Sequence, residues 1–64
     1  MINLLPVLRR KKKIKQVELA RALNISPSYL CKVEKGLAEP TDAFKESCAV
    51  ILGEPVESVF PPQT

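Results

Sequence analysis

A group of polar side chains near the middle of the chain has the spacing of one helix face. At about 100° per residue, a helix over residues 27–35 directs Ser28, Lys32 and Lys35 to one side, with Tyr29 on its flank. Their hydroxyl, ammonium and phenol groups are hydrogen-bond donors, and DNA base edges and phosphates present many acceptors. The spacing indicates a surface suited to nucleic acid, although it also fits an ordinary solvated helix face.

The residue types that most enzymes need are largely missing. The sequence has no histidine, and its two cysteines, Cys31 and Cys48, lie far apart with no recognisable base beside them. It has no phosphate-binding loop and no paired-carboxylate motif, and both glycines fall at predicted helix ends. We therefore expect no catalytic activity, no metal site and no cofactor, with both thiols free in a reducing compartment.

Charge is distributed unevenly along the chain. Residues 1–38 contain nine Lys or Arg and two acids, a net charge of +7, whereas residues 39–64 carry a net charge of −4. A basic half joined to an acidic half predicts one face that meets a polyanion and another that does not. The apolar residues 1–8 precede the basic run, unlike a signal peptide, and no stretch is long enough to span a membrane. The expected location is the cytoplasm.

The chain of 64 residues predicts one small all-α domain in which prolines separate five helices. Asn3 is the expected cap of the first helix, which ends near residue 12, and Thr41 is the expected cap of the fourth, which Gly53 ends. The other three helices are predicted over residues 16–23, 27–35 and 56–60. Residues 61–64 are predicted to form a frayed tail.

The turn between the second and third helices is the most informative segment. Asn24 tolerates the left-handed conformation that ends a helix, Ser26 can cap the next helix, and Pro27 suits its first position. Two short helices joined so tightly must cross at a steep angle, with Ile25 packed between them. These positions predict a helix-turn-helix over residues 16–36.

The stretch QVELARALNISPSYLCKVEKG, residues 16–36, resembles the helix-turn-helix family of phage repressors, Cro proteins and Xre-type bacterial regulators. The likeness begins at Leu8 and continues to Phe60. It implies a five-helix bundle whose third helix lies in the DNA major groove, with Ala20 where the two motif helices touch. The function it implies is that of a sequence-specific transcriptional regulator, a repressor, encoded by a bacterium or phage.

The resemblance also assigns roles to individual residues. Positions beside the base edges are held by Pro27, Ser28, Tyr29 and Lys32. Positions beside the phosphates are held by Lys15, Gln16 and Lys35. Arg9 and Glu34 match positions that often form an ion pair between the first and third helices.

This chain departs from the family pattern at four positions. Lys15 stands where a Thr or Ser cap is common, which should cost the second helix about 1 kcal/mol unless water or Gln16 compensates. Lys13 and Asn24 occupy positions often held by glycine, which adopts positive φ without strain. Glu39 places an acid in the loop after the third helix, where basic groups are frequent.

Family members commonly bind inverted-repeat operators as two-fold dimers, so the resemblance implies a homodimer on double-stranded DNA. The acidic half has more apolar residues than a thin core needs, and the subunit contact is expected to draw on Val50, Ile51, Val56, Val59 and Phe60. The alternative places all five in the core.

Two other functions stay open at this point. The same fold can serve as a protein-interaction module, such as an antitoxin or adaptor, that binds another protein through its basic surface or through residues 50–60. Residues 2–15 could also form a basic amphipathic helix at a membrane or RNA surface, which leaves the pattern of residues 16–36 unexplained. A preference among DNA sequences would distinguish the regulator from both.

Overall fold

The computed structural model describes residues 3–62 and has, within that range, five α-helices and no strand. In chain order the helices are α1 (Leu5–Lys11), α2 (Gln16–Leu23), α3 (Pro27–Glu34), α4 (Asp42–Leu52) and α5 (Val56–Val59). The predicted all-α, five-helix architecture is confirmed, and α2 has the predicted bounds. The predicted tail includes Gln63 and Thr64, which lie outside the described residues.

The turn between α2 and α3 has the local chemistry that the sequence predicts. Asn24 adopts φ 59° and ψ 44°, the left-handed conformation that ends α2. The Oγ atom of Ser26 accepts a hydrogen bond from the backbone N–H of Tyr29 at 3.1 Å, and Pro27 begins α3. Ile25 is half-buried against the core. The turn therefore fixes the angle between the two motif helices by capping on one side and packing on the other.

The start of α1 differs from the prediction. Leu4, and not Asn3, is the residue that precedes the helix, so the expected cap position is wrong by one residue. The buried Asn3 side chain nevertheless accepts a hydrogen bond from the Leu5 amide at 3.0 Å, and its Nδ2 donates to the Val33 carbonyl at 2.9 Å. Asn3 thus satisfies a first-turn amide of α1 and also joins α1 to α3.

One apolar cluster contains side chains from all five helices. The fully buried members of this cluster, each 0% exposed, are Leu5, Leu19, Leu30, Val33, Cys48 and Val59. Ala20, on α2, is 1% exposed within the same cluster. Because Ala20 is almost fully buried, a larger side chain at this position should push α2 and α3 apart.

The two cysteines are free thiols in different surroundings. Cys31 is half-buried on α3, whereas Cys48 is fully buried on α4. Burial raises the pKa of the Cys48 thiol to about 12, and the negative charge of Glu34 adds to the rise. Cys48 is therefore protonated at neutral pH and packs as a small apolar side chain.

Two departures from the family pattern have visible structural results. Lys13 adopts φ 60°, in the left-handed region that a side chain disfavours. Lys15 precedes α2 without a side-chain cap, because an ammonium group cannot accept a hydrogen bond. Glu18 compensates from within the helix, since its Oε1 accepts the Lys15 backbone N–H at 2.8 Å. This contact supplies one half of a capping box.

Candidate nucleic-acid interface

The outer face of α3 carries most of the residues assigned to base contacts. Pro27, Ser28 and Lys32 are exposed, and Lys35, which follows the last turn of the helix, is exposed as well. Tyr29 is half-buried, because its ring meets Phe44 edge-on at 5.9 Å with an interplanar angle of 87°. Part of the Tyr29 ring therefore stabilises the domain by packing against α4.

An ion pair holds the end of α3 against α1. The Nε atom of Arg9 lies 2.7 Å from Oε2 of Glu34, and the Nη2 atom of Arg9 donates to Oε1 of Glu34 at 3.3 Å. The remaining terminal nitrogen of Arg9 donates to the Ile14 carbonyl at 2.9 Å. The two side chains are only 9% and 6% exposed. The pair predicted from the resemblance is thus present and is satisfied by several hydrogen bonds.

Gln16 extends this network to the start of α2. Its Nε2 donates to Glu34 Oε1 at 2.9 Å, so Glu34 accepts from both Arg9 and Gln16. Gln16 is the first residue of α2, where the free backbone amides and the helix dipole favour an anion. The network therefore fixes the Gln16 side chain beside a position suited to a phosphate.

A surface depression of about 350 Å³ lies between α1, α2 and α3. Its lining residues are Pro6, Arg9, Arg10, Gln16, Cys31, Glu34 and Lys35. The structure thus brings together Gln16 and Lys35, and it adds Arg10, to which the sequence assigned only a general attraction. Lys15 is exposed at the start of α2 but does not line this depression. With Glu34 neutralised by Arg9, the groups of the rim can bind an anionic oxygen.

A sequence model of the helix-turn-helix family matches residues 8–58 of this chain, which include all of α2, α3 and α4. The chain belongs to the helix-turn-helix family. Members of this Xre/Cro-like family are DNA-binding regulators, and the family is not typically enzymatic. A search of curated proteins gave no match.

The helix-turn-helix domain leaves only part of the expected subunit contact on its surface. Val50 is 80% exposed and Ile51 is 37% exposed, and Val56 is half-buried. Val59 and Phe60 are 0% and 5% exposed and belong to the core of the single chain. Their assignment to a subunit contact is corrected accordingly, because side chains buried within one chain cannot reach a second copy.

Two adjoining depressions surround the exposed end of α4 in this helix-turn-helix domain. Their volumes are about 450 and 460 Å³, and Glu46 and Val50 line both. The depression of about 450 Å³ is also lined by Ile51 and Ala22, and the depression of about 460 Å³ is also lined by Val56. Two acids, Glu46 and Glu54, line this largely apolar surface, and most of its residues belong to the half of the chain with a net negative charge.

Some lysines outside α3 have partners on the acidic half. Lys12 Nζ lies 3.3 Å from Glu54 Oε2, and Lys45 Nζ lies 5.9 Å from the centre of the Phe60 ring. Lys11 and Lys13 are exposed on either side of Lys12.

No helix among residues 3–62 of this helix-turn-helix protein is long and apolar enough to cross a membrane.

Proposed function

We propose that this chain is a sequence-specific transcriptional regulator that represses its target by placing α3 in the major groove of double-stranded DNA. The observation that carries the proposal is the exposure of Pro27, Ser28 and Lys32 together on the outer face of α3, within a helix-turn-helix. This face is free of core packing. The regulator acts in the cytoplasm without a cofactor and without catalysis.

The two kinds of DNA contact have different consequences in this proposal. Lys32 donates to acceptors such as O6 and N7 of guanine, and Ser28 and Tyr29 donate with less selectivity. Gln16 and Lys35, which line one depression, bind a phosphate, and Lys15 adds charge at the start of α2. Base contacts choose the sequence, whereas phosphate contacts fix the position of the domain on the duplex.

The regulator binds an inverted-repeat operator as a homodimer, with one α3 in each half-site. Half-sites of such dimers lie about one turn of the double helix apart, so that both recognition helices meet the same face of the duplex. The exposed apolar residues Val50, Ile51 and Val56 support a subunit contact at the end of α4. Two linked domains bound to the same duplex have a higher affinity for it than one small domain alone.

Selection of the purified protein against a random duplex library at physiological salt tests whether the protein recognises a specific DNA sequence. The wild type should enrich an inverted repeat, and Lys32→Ala should relax the preference at one position of each half-site. Lys45→Ala is the matched control, because it removes the same charge from α4 and should leave the enriched sequence unchanged. Salt-sensitive binding without enrichment would refute sequence reading and favour a protein-interaction module.

Sedimentation tests the homodimer separately. Val50→Glu places a charge on the apolar surface of α4 without entering the core, since Val50 is 80% exposed. The variant should remain monomeric at concentrations where the wild type dimerises, and it should bind a full operator less tightly. A wild type that stays monomeric on an isolated half-site and on the full operator alike would refute the dimer.

A further inference from the structure

A fourth surface depression lies at the turn between α2 and α3, away from the proposed phosphate-binding depression. Its volume is about 310 Å³, and its lining residues are Val17, Ala20, Arg21, Asn24, Ile25 and Pro27. Val17 is the second residue of α2, and Pro27 is the first residue of α3. The start of α2 and the start of α3 therefore line the same depression.

Val17 has no evident role in the stability of the domain. Its side chain is 47% exposed, and it is not among the residues that pack against the core cluster. A β-branched side chain also lowers helix propensity at an exposed position. Pro27 is exposed too, although its ring favours the first turn of α3. Two exposed apolar side chains at one depression suggest an apolar ligand group.

We propose that Val17 and Pro27 form an apolar contact for the 5-methyl group of one thymine in each half-site. This inference rests on the proposed function. The thymine methyl is the apolar group that a base pair presents in the major groove, and it is small enough to enter a depression of this size. Pro27 adjoins Ser28 on the base-reading face, so the depression borders the bases that α3 reaches. Val17 is then a specificity-determining residue that lies outside the recognition helix.

The charges around the depression favour DNA over an apolar segment of another protein. The exposed Arg21 lines the depression, and the exposed Lys15 lies two residues before Val17. Glu18, the nearby acid, has one carboxylate oxygen occupied by the Lys15 amide. DNA presents the thymine methyl close to negatively charged phosphates. It therefore matches a depression that combines an apolar contact with cationic neighbours.

Replacement of thymine by deoxyuridine tests the contact, because this change removes only the 5-methyl group. Each thymine of the enriched operator is replaced in turn, and the affinity of wild type and Val17→Ala is measured for each duplex. Val7→Ala is the matched control, since Val7 is 56% exposed on α1 and lines none of the depressions described above. Circular dichroism verifies that all three proteins have the same helix content.

At one thymine per half-site, the replacement should weaken binding of wild type and Val7→Ala about fourfold, as expected for one buried methyl group. Val17→Ala should lose affinity for the thymine operator and should no longer distinguish thymine from deoxyuridine at that position. Equal discrimination by Val17→Ala and wild type at every position would overturn the contact while leaving the regulator intact. A selection that enriches no sequence would overturn both.

Discussion

The guanidinium of Arg9 and the carboxylate of Glu34 meet at 2.7 Å in a nearly buried position that joins α1 to the last residue of α3. Glu34 also accepts from Gln16, at the start of α2. One carboxylate therefore connects the three helices that surround the proposed phosphate position. Both the stability of the domain and the positions of the Arg9 and Gln16 side chains depend on it.

Glu34→Ala should lower the free energy of unfolding by roughly 3–5 kcal/mol, because it leaves the Arg9 guanidinium buried without a counter-charge. Glu18→Ala is the control: it removes an acid that only caps the start of α2, and it should cost about 1 kcal/mol. Urea denaturation of both variants measures the difference. Equal losses would mean that the ion pair contributes no more than a cap.

Lys13→Gly should stabilise the domain by about 1 kcal/mol, since glycine adopts the φ of 60° without the clash that a Cβ atom causes. Lys11→Gly removes the same charge from the last turn of α1, where glycine should instead lower stability by about 1 kcal/mol. Thermal unfolding of the two variants should therefore shift in opposite directions. A destabilised Lys13→Gly would argue against strain at this position.

Lys35→Ala should weaken binding to all duplexes by a similar factor and should reduce the slope of log affinity against log salt by about 1, as for one lost phosphate contact. Gln16→Ala should also weaken binding to all duplexes, but with little change in slope because the side chain is neutral. Lys45→Ala should alter neither property. If Lys35→Ala lost affinity for only one sequence, Lys35 would contact a base and not a phosphate.

Stability should fall as the pH rises above about 9, the ordinary pKa of a thiol, toward about 12, the pKa of Cys48 in the folded state. In this range the unfolded chain releases the Cys48 proton while the folded chain retains it, so ionisation favours the unfolded state. Cys48→Ala should be less stable at pH 7, because it leaves a small cavity, yet it should lose less stability between pH 9 and 10.5. Parallel pH profiles for the two proteins would contradict this account.

Local signals in the sequence predicted much of the fold. Asn24, Ser26 and Pro27 act over a few residues, and they defined the turn and the start of α3 correctly. The start of α1 was less predictable because the Asn3 amide also bonds to Val33, 30 residues away, and no local pattern reveals such a partner. Glu18 compensates for the missing cap at Lys15, and its position three residues after Lys15 is the spacing of a capping box.

The candidate site was predictable to the extent that it lies on one helix face. Helical periodicity identified the exposed positions of α3, but it could not show that Phe44 covers part of Tyr29. Likewise, α5 has only four residues, too few for a period to separate buried from exposed positions. Local pattern therefore cannot decide between a subunit contact and the core for Val59 and Phe60, which tertiary packing buries.

The hydrogen bond from Asn3 to the Val33 carbonyl lies next to the Glu34 ion pair along α3. Asn3, just before α1, and Arg9, within α1, thus hold α3 at two successive residues, through the Val33 carbonyl and the Glu34 carboxylate. A helix held at a single point can turn about its own axis, whereas one held at two points keeps its angular setting. If α3 reads bases as proposed, its register against the base pairs depends on α1, and substitutions in α1 that never touch DNA should change which sequence the protein prefers.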